Sequence, residues 1–117
     1  KMKHSPLILF CLVVFFFLKK RFFDTTDYKS MLSSGGIIID VRSNGEFYSG
    51  HIENSLNIPL SDLTSKIDQF NDKDQPIITC CASGMRSAAA AKILSAKGYK
   101  NVVNGGGWSS LQAKLNK

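Results

Sequence analysis

The stretch that most constrains this chain runs from Pro76 to Leu94, Pro-Ile-Ile-Thr-Cys-Cys-Ala-Ser-Gly-Met-Arg-Ser-Ala-Ala-Ala-Ala-Lys-Ile-Leu. A short β-branched run reads as a buried strand ending at Cys80, a loop of small residues follows, and an alanine-rich helix begins at Arg86-Ser87. At such a junction the loop amides and the first helical turn aim their N–H groups into one small volume, where the helix dipole adds partial positive charge. An anion is favoured there. If that anion is the thiolate of Cys81, its pKa falls and it becomes a nucleophile near neutral pH. Arg86 adds forked donors that suit a sulfur or phosphorus oxyanion. A lone cysteine at a strand end is usually an inert small apolar residue. The combination of cysteine, loop glycine and arginine is what points to chemistry. Successive strand side chains face opposite ways, so Cys80 is expected in the core and Cys81 at the mouth of the loop.

The rest of the chain alternates between strand and helix signals. Asp24-Thr-Thr-Asp27 offers N-caps for a short helix through Met31-Leu32, stopped by Gly35-Gly36. Ile37-Ile-Ile-Asp-Val41 is a continuous apolar run, as in a strand covered on both faces. Ser43 to Ser49 reads as a short helix and Leu56 to Pro59 as a brief extended piece. From Ser61, a plausible cap, Leu63, Ile67 and Phe70 fall at helical spacing. After the loop, the helix reaches Lys97 and is closed by Gly98, Val102-Val103 is a strand, Gly105-Gly-Gly107 a turn, and Trp108 to Leu115 a last amphipathic helix. This alternation implies an α/β fold, a mostly parallel sheet flanked by helices on both faces, with ligands bound beyond the carboxyl ends of the strands. Residues 24–117 suffice for one modest core.

The N-terminus is different. Pro6 to Leu18 carries no charge and lies between Lys1 and Lys3 on one side and Lys19-Lys20-Arg21 on the other. As a helix it covers roughly 20 Å against a hydrocarbon core of about 30 Å, and Phe22-Phe23 with snorkelling basic side chains extend it. The run meets Lys-Lys-Arg with no small-residue cleavage site, and apolar side chains cover every face, which argues against a signal peptide and against a core helix. Residues 1–23 are therefore expected to form a hydrophobic membrane anchor, with residues 6–23 in the membrane. The larger basic cluster follows the segment, which places the domain on the cytoplasmic side. Five of the 15 Lys and Arg residues lie in residues 1–23 and none of the nine Asp and Glu, so the remainder is nearly neutral. The excess positive charge suits anionic headgroups and gives no support to nucleic-acid binding.

Three motifs together carry a family resemblance over about residues 26–115. Cys81-Ala-Ser-Gly-Met-Arg-Ser87 resembles the active-site loop of rhodanese-type sulfurtransferases. Ile39-Asp-Val-Arg42, Glu46-Phe47, Gly50-His-Ile52 and Asn57-Ile-Pro59 resemble the second family signature. Gly98-Tyr-Lys-Asn-Val-Val103 leading into Gly105-Gly-Gly-Trp108 matches the usual tail. The resemblance implies the rhodanese-like fold and a cycle in which Cys81 takes a sulfane sulfur from thiosulfate or a persulfide donor. The sulfur then passes to cyanide, a thiol or a protein acceptor, with no metal or organic cofactor. Ala82, Ser83, Gly84, Met85 and Arg86 would bind substrate around Cys81. His51, Asp40 and Arg42 read as polar residues that fix the surrounding loops, and Arg42 is also a candidate for reaching an anionic substrate. Ala82 stands where the family often has a basic residue. That leaves Arg86 as the one charged side chain within the loop and argues against avid use of thiosulfate.

Two rivals stay open. Cys80 and Arg86 have the Cys-x5-Arg spacing of phosphatase and arsenate-reductase loops, although Thr79 stands where those enzymes usually have histidine. An anchored docking or sulfur-carrier module without turnover is the other. Cys80 and Cys81 are neighbours and cannot staple distant segments, a vicinal disulfide would be strained, and no Cys or His cluster accompanies them to hold a metal.

Overall fold

The computed structural model describes residues 26–117. The anchor expected over residues 1–23 lies outside the described residues. Among the described residues no helix is long and apolar enough to cross a membrane.

The elements follow the alternation in the sequence. Helix α1 (Tyr28–Ser33) is capped by Asp27, whose side chain accepts from the Ser30 amide at 3.0 Å. Strand β1 (Ile37–Asp40) leads to α2 (Asn44–Tyr48), which opens on a capping box. There the Ser43 hydroxyl accepts from the Glu46 amide at 3.2 Å, while the Glu46 carboxylate accepts from the Ser43 amide at 3.0 Å. After β2 (Leu56–Asn57) come β3 (Ile77–Cys81), α4 (Met85–Ala96), β4 (Val102–Gly107) and α5 (Trp108–Leu115). Between β2 and β3 the expected single helix is broken into a 3-10 turn (Leu60–Asp62), one turn of α-helix, α3 (Leu63–Lys66), and a second 3-10 turn (Ile67–Gln69). Pro59, not Ser61, precedes the first turn, and no side chain caps it.

All four strands run parallel in the order β2-β1-β3-β4. The central strand β3 is buried along its whole length, and its alternation divides the core in two. Ile77 and Cys81 join Ile39, Val41, Leu63, Ile67, Ala90 and Leu94 under α3 and α4. Ile78 and Cys80 join Ile38, Ile52 and Leu111 on the other face, packed by α1 and α5 through Met31, Leu32, Trp108 and Leu115. Helices therefore cover both faces, as the sequence implies. Leu94 and Leu111 are fully buried, one in each half, so truncating either to alanine is expected to cost about 2–5 kcal/mol.

Gly105 to Gly107 form the end of β4 rather than the expected turn. Gly107 pairs with Cys81 across a register shift in β3, and a Cβ on Gly107 would lie 2.9 Å from the Ala82 carbonyl oxygen. The glycine is there because strand and loop backbones meet closely.

Candidate active site

The expected loop lies at the carboxyl end of β3, the central strand, where it turns into α4. The helix starts at Met85, one residue before the expected point, with Gly84 as its N-cap at φ +107°. This left-handed conformation, which other residues rarely adopt, redirects the chain from the loop into the first turn of α4. The Gly84 amide donates to Cys81 Sγ at 3.0 Å and the Ser87 amide donates at 3.4 Å. The Ser87 hydroxyl lies 3.3 Å from the same sulfur. Cys81 is 1% exposed, so the sulfur forms the floor of the loop, beneath the exposed Ala82, Ser83 and Met85.

Burial pushes the Cys81 thiol up, but the Ser87 hydroxyl and the amides of Ser87, Gly84 and Ser83 together outweigh it, and the net shift is downward. Cys80 behaves in the opposite way. It is fully buried in the other half of the core, and that burial, with the Asp40 charge nearby, pushes its thiol up to about 12. Of two adjacent cysteines, one is tuned towards the thiolate and the other held as a thiol. Both are free of disulfides.

Ser87 and Asn104 were not singled out from the sequence, yet they brace the loop. The Ser87 hydroxyl donates to Asn104 Oδ1 at 2.6 Å, the Asn104 side-chain amide donates to the Gly84 carbonyl at 3.2 Å, and the Gly106 amide donates to Asn104 Oδ1 at 2.9 Å. Thr79 fixes the same serine from below, donating from Oγ1 to its carbonyl at 2.8 Å. Strand β4 thus sets the shape of a loop it does not belong to. The signal available in sequence was Asn104 beside the glycine run, but nothing local says which loop it touches.

Arg86 stands at the lip of the loop, paired with Glu46. Its Nη1 donates to Glu46 Oε1 at 2.7 Å and its Nη2 to Oε2 at 3.0 Å, the two side chains being 38% and 39% exposed. The Arg86 guanidinium, with the Ser43 amide second, holds the Glu46 carboxyl down at about 2. The structure thus brings Cys81, Ala82, Ser83, Gly84, Met85 and Arg86 together and adds Glu46.

Arg42 is placed otherwise. It is 4% exposed, its Nε and Nη2 donate to the fully buried Asp40 carboxylate, the shortest contact being 2.7 Å, and Nη2 also donates to the Gly50 carbonyl at 2.7 Å. Its guanidinium carbon lies 4.8 Å from the centre of the Trp108 ring. With these partners, Arg42 ties β1 to the Gly50 turn and α5, in keeping with a loop-fixing role and not with the candidate role of reaching a substrate anion. Asn57 completes the brace, donating from Nδ2 to the Asp40 and Arg42 carbonyls at 3.0 and 2.9 Å. His51 stacks on Phe47 with ring centres 3.7 Å apart, and its Nδ1 lies 2.8 Å from the Phe47 carbonyl, the contact of a turn histidine. Among the described residues, no three His, Cys, Asp or Glu side chains group so as to hold a metal ion.

The arsenic-content protein of Arabidopsis thaliana mitochondria, HIGH ARSENIC CONTENT 1, is 35% identical over 99 residues, spanning 74% of this chain but only 59% of its own length. The thiosulfate sulfurtransferase PspE of Escherichia coli is 36% identical over 70 residues, 59% of this chain and 67% of the relative. A solved rhodanese with anions from Escherichia coli superposes with a TM-score of 0.58 at 36% identity, covering 63% of this chain and 88% of that one. The family model for the rhodanese-like domain matches residues 24–114, nearly the whole chain beyond its apolar N-terminus, and the chain belongs to that family.

Proposed function

We propose that this chain is a rhodanese-type sulfurtransferase that carries a sulfane sulfur as a persulfide on Cys81. The observation that carries the reading is a buried sulfur accepting from the Gly84 and Ser87 amides at the start of a 12-residue helix. The Cys81 thiolate attacks the outer sulfur of a donor. The bond between that sulfur and the donor breaks, and its electron pair leaves with the donor, as sulfite from thiosulfate or as a thiolate from an organic persulfide. The outer sulfur on Cys81 then bears the negative charge, which the loop amides and the helix N-terminus stabilise. A thiol or cyanide attacks that sulfur, and Cys81 departs as the thiolate that began the cycle. A protein thiol is an acceptor of the same chemistry.

Purified full-length protein should form thiocyanate from cyanide over many turnovers with thiosulfate or glutathione persulfide, and Cys81→Ser should abolish it. A single stoichiometric transfer would point to a carrier module, and none to a docking module. The Cys-x5-Arg reading takes Cys80 as nucleophile and is favoured by the arsenic in the name of the Arabidopsis relative. Against it stands the burial of Cys80 on the opposite side of the sheet from Cys81. From the sequence alone we also infer that residues 1–23 anchor the domain to a membrane, on the cytoplasmic side. The full chain should sediment with membranes and resist carbonate extraction, and its recovery in a soluble fraction would count against the anchor.

A further inference from the structure

We propose that Glu46 sets the donor selectivity of the Cys81 site, cancelling the charge of Arg86 so that the site favours organic persulfides over the dianion thiosulfate. This rests on the sulfurtransferase reading and concerns which donor that site accepts. Arg86 is the only charged side chain from Cys81 to Ser87, so whatever attraction the loop exerts on an oxyanion beyond its amides comes from that guanidinium. Both of its terminal nitrogens already face the two oxygens of Glu46, at 2.7 and 3.0 Å. Bidentate pairing of this kind uses the same fork that would grip a sulfonate-like group.

Glu46 is not free to yield. Its Oε1 also accepts from the Ser43 amide and hydroxyl at 3.0 and 3.1 Å, so the carboxylate is fixed to the first turn of α2 as well as to Arg86. With its carboxyl held at about 2, it remains ionised throughout the neutral range. An entering thiosulfate would have to displace this carboxylate from Arg86 and then sit beside it, two negative charges against one. An organic persulfide presents only its terminal sulfur to Cys81 and the loop amides, and it needs no oxyanion contact at the lip. In both cases the sulfur gained by Cys81 is the sulfur lost by the donor, and the departing sulfite or thiolate carries away the electron pair of the broken bond.

Glu46→Gln tests this cleanly because glutamine retains the carbonyl oxygen that a capping box requires while losing the charge. Relative to wild type, the variant should lower the KM for thiosulfate roughly threefold to tenfold, the scale expected for removing one half-exposed ion pair and one like-charge contact. The KM for glutathione persulfide should change by a clearly smaller factor, since its reacting sulfur makes no oxyanion contact with Arg86. Adding Arg86→Gln should erase the gain, since the effect passes through that guanidinium. Protection of Cys81 by sulfite against iodoacetamide should tighten in parallel, and this readout requires no turnover. If no donor loads Cys81 in the wild type, the sulfurtransferase reading fails, and sulfite protection still decides the role of Glu46. Equal changes for both donors, or unchanged sulfite protection, would overturn the proposal. Should the variant misfold, the salt dependence of the wild type decides. A neutral lip predicts a shallow rise of the thiosulfate KM with ionic strength, and the steep rise of a dianion meeting an unpaired arginine would contradict it.

Discussion

Replacing Arg42 by methionine would leave the Asp40 carboxylate fully buried with only the Arg42 backbone N–H, at 3.0 Å, still donating to it. The variant also removes the Gly50 carbonyl contact and the guanidinium over Trp108. Removing one partner of a buried ion pair costs about 3–5 kcal/mol because the remaining charge is stranded away from water. Small domains have about 5–15 kcal/mol in total, so the variant should be folded but close to its limit. With a urea slope of about 1–2 kcal/mol per molar for a domain of this size, the unfolding midpoint should fall by roughly 2–3 M. The assay is urea unfolding followed by Trp108 fluorescence, Trp108 being the only tryptophan in the chain. Asp40→Asn combined with Arg42→Met should recover part of the loss, since no unpaired charge then remains buried. A stability change below about 1 kcal/mol, the usual scale of an exposed pair, accompanied by a raised thiosulfate KM would refute the reasoning and make Arg42 a substrate contact.

Ser87→Ala should move the pH midpoint of Cys81 alkylation by iodoacetamide upward from its depressed position, because the hydroxyl that donates to Asn104 Oδ1 lies 3.3 Å from the sulfur and can rotate to donate to it once Cys81 ionises, Asn104 Oδ1 keeping the Gly106 amide. A hydrogen bond to a charged acceptor contributes about 1.5–3 kcal/mol, and a 3.3 Å contact to sulfur belongs near the low end, so alkylation at neutral pH should slow about tenfold and recover at high pH. An unchanged midpoint would remove Ser87 from the site. Cys80→Ser should lower stability by about 1–3 kcal/mol through a buried hydroxyl without a partner, while sulfur transfer persists. Loss of transfer with stability unchanged would instead implicate Cys80 in the chemistry.

The strands and the last helix were legible because their signals are local and strong. Ile37 to Ile39 and Ile77 to Cys81 are short runs dominated by isoleucine and other residues that suit a buried strand, and Trp108 to Leu115 keeps one face to the core. Gly105 to Gly107 misled because glycine marks turns in sequence, whereas here Gly105 lets the strand close against the Thr79 carbonyl and Gly107 against the Ala82 carbonyl, a tertiary demand. The segment after Pro59 has helical spacing, but three short pieces with no side-chain cap at their starts satisfy its packing. The order of the two cysteines followed from strand alternation alone, and the structure places them on opposite faces. What sequence could not supply was the partner of each charged group. Asp40 lies two residues from Arg42 but Glu46 lies forty from Arg86, and no local pattern distinguishes a guanidinium committed to the core from one at the lip.

The most direct measurement is to incubate the purified full chain with glutathione persulfide, remove excess donor, and locate the added sulfur by peptide mass spectrometry. One sulfur atom should be found on the peptide containing both cysteines, with fragmentation assigning it to Cys81. Cyanide should release it as thiocyanate, and Cys81→Ser should carry none while Cys80→Ser still does. Sulfur on Cys80, or a Cys81→Ser protein that still loads and transfers it, would contradict the assignment of Cys81 as the carrier.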